Sequence, residues 1–259
     1  MGRRTLPPGP EGSGGLRAAG NDPGAKAPQA VTKSARSADE CGVDVGELSR
    51  MELVDDYLAE LTRRMREILG DELVGVYAGG SYALGAYEHG RSDVDVTAVV
   101  SDHLADDTKR KLIDVLRHES LPCPARGLEL VIYPLATTRG GGGEPGFELN
   151  LNTGARMDFR ADLAPGDIEG FWFAIDRSIL REHGIPLHGP PPAEVFAAIP
   201  RPTLTALLDE SVQWHRDSDQ PTSADSILNT ARSQHFLDTG HWVSKPEAQR
   251  LLDEASGAP

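Results

Sequence analysis

Cysteine is nearly absent. The 259 residues contain two, Cys41 and Cys123, too few for a disulfide framework. No C-x-x-C or H-E-x-x-H occurs, and the eight histidines show no ligand-like spacing, which argues against a structural zinc site. No apolar run approaches the roughly 18 residues of a membrane span. Arg3 and Arg4 are not followed by the apolar stretch of an export signal, and Leu6 stands where a myristoylation signal needs Ser or Thr. A cytoplasmic protein with no membrane partner is the expectation, and a monomer. Basic residues are also scarce: 26 Lys and Arg against 40 Asp and Glu, a net charge of -14. All of that excess lies after residue 45, where 35 acidic side chains face 20 basic ones. Such a body repels nucleic-acid backbones and suits a cationic small molecule; simple solubility accounts for it equally well.

The length allows one large domain or two smaller ones. Residues 1–45 are rich in Gly, Pro, Ala and charge with almost no large apolar side chains. They cannot bury enough surface to offset ordering entropy, so a disordered tail is expected there. Over 46–69, Leu48, Met51, Val54, Leu58, Leu61, Met65 and Ile68 recur at helical spacing, and Gly70 stops the helix. Residues 73–78 (LVGVYA) read as a buried strand. A Gly-Gly-Ser turn and a short helix to about residue 88 follow. Residues 93–99 alternate as a second strand, 104–119 are helical by period, and 128–133 (LELVIY) form a third strand. A glycine run at 140–143 makes a loop, and 147–152 suggest a further strand. Beyond about 166 the helix candidates are 168–183, 203–216, 223–238 and 245–256. The expectation is an α/β (α+β) domain with a mixed sheet over 46–165, then an all-α helical domain over 166–259.

The stretch YAGGSYALGAYEHGRSDVDVTAVV (77–100) holds the chemistry. Side chains alternate across a strand, so Asp93 and Asp95 project from one face while Val94 and Val96 enter the core. Two such carboxylates repel unless a cation lies between them. Mg²⁺ takes carboxylate oxygens and keeps open positions for phosphate. Gly79 and Gly80 allow close backbone approach, and Ser81 opens a short helix whose free N–H groups attract anions. Glu129 is opposite in phase to Leu128 and Leu130 in the next strand. If the two strands are neighbours, three carboxylates converge. An Asp-x-Asp alone fits a solvated strand end equally well; the ordered combination is far rarer.

Gly80-Ser81, Asp93-Val94-Asp95 and Glu129 resemble the signature of the nucleotidyltransferase superfamily related to DNA polymerase beta. Three later stretches, FELNLNTGARM (147–157), LREHGIPLHGPPPAEVFAAIPR (180–201) and LNTARSQHFLDTGHWVSK (228–245), resemble the streptomycin/spectinomycin (aminoglycoside) adenylyltransferase branch. The resemblance implies transfer of AMP from ATP to a hydroxyl of a small cationic antibiotic, with release of pyrophosphate. It implies Mg²⁺, two ions, held by Asp93 and Asp95 with a contact from Glu129, and Glu129 as the catalytic base. Gly80, Ser81, Ser92, Arg232 and Lys245 would then bind the nucleotide, and Trp214, Asp217 and Asp219 the acceptor. By residue type alone, Arg232 fits a helix-surface charge, Lys245 a helix start, and Trp214 core packing. Thr222 stands where drug-modifying members can carry an acid, and the sequence given ends soon after Lys245, where relatives continue with more helix. The rival readings are a nucleotidyltransferase with a protein, RNA or metabolite acceptor, and a catalytically silent, antitoxin-like nucleotide-binding protein.

Overall fold

The computed structural model describes residues 45–257 apart from 167 and 219; the side chains of 45–49 are not described. The expected tail, Cys41 and Asp219 lie outside the described residues, although Val45 opens the first helix. The described residues form one compact unit.

Helix α1 (Val45–Leu69) buries Val54, Leu58, Leu61 and Met65, the periodic stripe read from the sequence. Its outer face carries Glu60 paired with Arg63 and Arg64, exposed contacts that add only a few tenths of a kcal/mol each. A short 3₁₀ turn leads into β1 (Leu73–Ala78). Helix α2 (Gly80–Ala83), β2 (Val94–Val100), α3 (Asp106–Leu116) and β3 (Leu128–Pro134) follow, then α4 (Leu135–Gly140). Next come β4 (Leu149–Gly154), β5 (Met157–Asp162), α5 (Phe171–His183), β6 (Ile185–His188) and α6 (Pro192–Val195). The chain closes with α7 (Arg201–Asp217), α8 (Ala224–Thr239) and α9 (Lys245–Ala255).

The strands form one mixed sheet in the order β5-β4-β3-β2-β1-β6. Only β2 and β3 run parallel, and α3 makes the crossover that a parallel pair requires. Both faces of the sheet are covered, and side-chain alternation divides the work. Val94, Val96, Ala98 and Val100 of β2, with Leu128, Leu130 and Ile132 of β3, face α1 and α3 in the main core. The alternate residues, Val99 of β2 and Tyr133 of β3, join Leu180, Phe173 and Phe196 on the other face. Asp95 and Glu129 share that second phase. A further core of Phe171, Ile175, Ile179, Leu204, Leu208, Phe236 and Trp242 binds α5, α7, α8 and the segment between α8 and α9 together.

Several elements differ from expectation. Helix α2 stops at Ala83 instead of near residue 88, because Gly85 and Gly90 take left-handed backbone (φ +65° and +83°). The strand expected at 147–152 is shifted to Leu149–Gly154 and returns as a hairpin through β5. The helical segment beyond 166 also returns one short strand, β6, to the sheet edge beside β1.

At the end of β1, Gly79 N donates to Asp95 O (2.9 Å), so the turn is tied to β2. Gly80 sits at φ +52°, and a Cβ there would fall on the Asp95 carboxylate. Gly85 has similar strain but open space around it. Gly85→Ala should therefore cost about 1 kcal/mol, the left-handed penalty alone. Gly80→Ala should cost distinctly more in the same urea titration, because Asp95 must also rotate away.

Across the sheet, Glu148 is buried. It accepts from Lys109 Nζ (2.8 Å) and Leu104 N (3.1 Å), and its other oxygen meets His103 Nδ1 (2.5 Å). Burial pushes its pKa up, but the Lys109 and His103 contacts outweigh that and hold it below the ordinary carboxylate value. A depressed carboxylate contributes stability above its unfolded pKa and loses it as pH falls through the folded one. Glu148→Gln should lower unfolding stability by about 3 kcal/mol at neutral pH. The gap to wild type should narrow as urea titrations move below pH 4.

Candidate active site

Because β2 and β3 are parallel and in register, Asp95 and Glu129 are direct cross-strand partners at the starts of their strands. Asp93 lies two residues ahead of Asp95 on the same phase, just before β2 begins. The three carboxylates predicted from the sequence are thus brought to one edge of one face. Like charges directly opposite each other destabilise a sheet, and the electrostatics record it. Burial, then Glu129, Asp93 and Asp176, raise the Asp95 pKa well above the ordinary value. Burial, then Asp93 and Asp176, push Glu129 up to about 7.

The Gly-Ser turn flanks this edge. A Cβ on Gly79 would meet Leu180 Cδ2 of α5 at 3.1 Å and Asp95 Cβ at 3.8 Å, so the turn is wedged between α5 and β2. Ser81 Oγ is buried and has no hydrogen-bond partner. Such an orphaned hydroxyl is uncommon and calls for an explanation. Ser92 Oγ accepts from Glu88 N (3.0 Å), and Ser92 O accepts from Arg126 N (3.0 Å), so Ser92 organises the approach to Asp93.

Arg126, not anticipated from the sequence, is among the described residues the one cation that pairs with any of the three carboxylates, and it meets two of them. Its Nη2 contacts Asp93 Oδ2 and lies 3.7 Å from Glu129 Oε1. Among the described residues no group of three or more His, Cys, Asp or Glu is closed around a point that could hold a metal ion. The guanidinium standing between Asp93 and Glu129 supplies a physical reason.

The helical segment contributes the opposite wall. Asp176 of α5 is a fourth carboxylate, also unforeseen. It opens on solvent yet is surrounded closely enough that burial, against Arg232 and Arg177 and with Asp93, pushes its pKa to about 6. Arg232 of α8 is held by Nε donating to Val243 O (2.7 Å), and burial lowers its pKa against the pull of Asp176 and Asp95. Lys245, the first residue of α9, pairs with Asp225 (2.7 Å), and its charge is felt by Asp95. Arg232 and Lys245 are therefore on the carboxylate side of their helices.

Trp214 is 39% exposed. Its Nε1 donates to Glu169 (3.2 Å), and its ring meets Trp172 and His215 edge-on at 5.3 and 5.1 Å. His215 is buried and leaves Nε2 unpartnered, with Lys245 and Asp225 near enough to influence it. Asp217 is exposed at the end of α7 and accepts from Gln213 Nε2 (2.7 Å), so it is engaged along its own helix. A separate hollow of about 450 Å³, lined by Asp55, Thr62, Arg66 and Tyr82 among others, lies beside α1, the helix that packs on the other face of the sheet. Asp93, Asp95 and Glu129 do not line it.

Residues 58–124 match the family model of the nucleotidyltransferase domain, a span that includes the Gly-Ser turn, Asp93 and Asp95 and ends before Glu129. No curated protein matches the chain. Among solved structures, spectinomycin adenyltransferase AAD(9) from Enterococcus faecialis, with ATP and spectinomycin, is similar with a TM-score of 0.60. The likeness covers 78% of this chain and 83% of that one at 19% identity, which establishes a common fold. Among the described residues no helix is long and apolar enough to cross a membrane. The chain is thus similar to nucleotidyltransferases in two respects, a domain match over residues 58–124 and a fold shared with that adenyltransferase.

Proposed function

We propose that the protein adenylylates a hydroxyl of a small cationic acceptor of the aminocyclitol or aminoglycoside kind, such as spectinomycin or streptomycin, using cytoplasmic Mg²⁺-ATP. One observation carries this reading: Asp95 and Glu129 face each other across parallel strands, with Asp93 beside them, at a Gly-Ser turn. A sheet gains nothing from that arrangement, whereas nucleotidyl transfer needs it. The neighbour of similar fold was solved with ATP and spectinomycin, which supports the choice of both substrates.

The residues suit a divalent ion by their chemistry. Three hard oxygen donors share one face, and Ser81 Oγ beside them lacks a partner. Asp93 and Asp95 would hold the ion, with Glu129 within reach. When bound, it would neutralise charge between the reacting phosphate and the leaving pyrophosphate. The acceptor hydroxyl oxygen attacks the α-phosphorus of ATP, the bond from that phosphorus to the β-phosphate oxygen breaks, and pyrophosphate departs. Glu129 takes the hydroxyl proton. Ser81 and Ser92 donate to the phosphates, Gly80 keeps the backbone open to them, and Arg232 and Lys245 balance the leaving charge. Trp214 presents a face for the acceptor's ring. Glu169, the hydrogen-bond partner of Trp214, offers a carboxylate for its ammonium group, alongside Asp217 and Asp219.

Incubation with ATP, Mg²⁺ and a panel of aminoglycosides and aminocyclitols should add one AMP to at least one acceptor, read by mass spectrometry. No addition across the panel would defeat the antibiotic assignment. Glu129→Gln should lower kcat by about 10²- to 10⁴-fold with ATP affinity kept in calorimetry. Asp95→Ala should instead abolish Mg²⁺-dependent ATP binding; unchanged affinity would remove Asp95 from the metal site.

A further inference from the structure

Arg126 stands where the proposed ion would bind. Its Nη2 contacts Asp93 Oδ2 and is 3.7 Å from Glu129 Oε1, so one guanidinium spans the two outer carboxylates of the site. A guanidinium does not lose its proton in a protein, and its fork suits two carboxylates at once. The backbone beneath it is pinned on both sides. Arg126 N donates to Ser92 O (3.0 Å), and Arg126 O accepts from Arg156 N (3.3 Å). Gly154 packs so closely that a Cβ would lie 2.6 Å from Arg126 O. Val94 N donates to the adjoining Gly127 O (2.9 Å). The root is therefore fixed, whereas the side chain is 44% exposed and can pivot.

We infer that Arg126 is the internal counter-ion of the site: it latches Asp93 to Glu129 in the ion-free protein, gives up that place to the divalent ion, and turns to the nucleotide's phosphates. This rests on the metal site proposed above. The guanidinium engages Asp93 Oδ2 and Glu129 Oε1, and its fixed positive charge repels a divalent cation held by the same two carboxylates. Once displaced, the guanidinium is an unpaired, partly exposed charge beside the site, and the bound polyphosphate is the anion that can receive it. Arg126 is thus a positioning residue with opposite effects on two ligands. It opposes the bare ion and favours the ion-nucleotide complex, so that the ion is held firmly only when the nucleotide arrives with it.

Titration of the full-length protein with Mn²⁺ alone, followed by the EPR signal of the free ion, separates this role from a structural one. Arg126→Met should bind Mn²⁺ about tenfold more tightly than wild type, yet bind Mg²⁺-ATP about tenfold more weakly by calorimetry. A residue that only supports the loop would weaken both. Arg126→Lys, which keeps the charge but not the fork, should fall between wild type and Arg126→Met for Mn²⁺ and serves where the Met variant does not fold. Unchanged or weakened Mn²⁺ binding in a folded variant overturns the latch. Asp95→Asn is the control: if Mn²⁺ binding by wild type does not depend on Asp95, the metal site itself is wrong and the latch falls with it.

Discussion

The cross-strand pair of Asp95 and Glu129 is the constraint on which the molecule turns. Parallel pairing puts the two carboxylates side by side at the starts of β2 and β3, in register, on the face that the main core does not use. A β-sheet offers no compensation for this, since opposed like charges weaken it. The surroundings aggravate the conflict: burial and the neighbouring acids raise both pKa values. The cost is tolerated because the opposite phase of the same strands is wholly apolar and closes a continuous core with α1 and α3. One periodicity thus does two tasks. Even-numbered residues of β2 and β3 fill the main core, and odd-numbered ones place Asp95 and Glu129 at the strand starts and Val99 and Tyr133 in the cores on the other face.

That division is why so much of the fold is legible in the sequence. Val94, Val96 and Ala98 against Asp93, Asp95 and Thr97 read directly as two faces, and Leu128, Glu129, Leu130 repeat the pattern. The stripe along α1 and the LVGVYA strand were equally plain, since local periodicity carries them. What escaped notice was decided at long range. β6 is four residues, Ile-Pro-Leu-His, whose pairing partner β1 lies more than a hundred residues earlier; no local pattern marks such a strand. Arg126 looks like an ordinary loop residue, although its place three positions before Glu129 was a usable signal. Asp176 lies in the apolar run FWFAIDRSIL and enters the site only because α5 crosses the Gly-Ser turn, with Leu180 one turn further along against Gly79.

The aromatic wall illustrates the same limit. Trp214 could be placed on a helix from its sequence, but whether it faced solvent or core could not. It is part of a cluster with Phe171, Trp172 and His215, so it is at once packed and partly exposed. Edge-on packing holds the ring rigidly while leaving one side open. A side chain so fixed loses little entropy on meeting a ligand, which makes it a better recognition surface than a free surface tryptophan. Core packing and acceptor binding, which residue type alone sets against each other, are compatible here.

A protein with a net charge of -14 is an unexpected host for a polyphosphate, and the cleft resolves this locally. Arg126, Arg232 and Lys245 lie around the carboxylate edge, and each has a partner within the chain: Asp93, Val243 O and Asp225 respectively. None is a bare charge waiting for phosphate. Binding the nucleotide is therefore an exchange of partners in which the released groups matter as much as the new contacts. Asp225 is exposed and can return to water at little cost. Asp93 and Glu129 cannot be released so cheaply, because each would then face the other acids without a counter-charge, and a divalent ion would restore it. On the proposed function, ion and nucleotide would consequently arrive together. The acidic acceptor side can remain acidic, because the positive charge needed for phosphate is drawn from groups the fold already holds at the edge of β2 and β3.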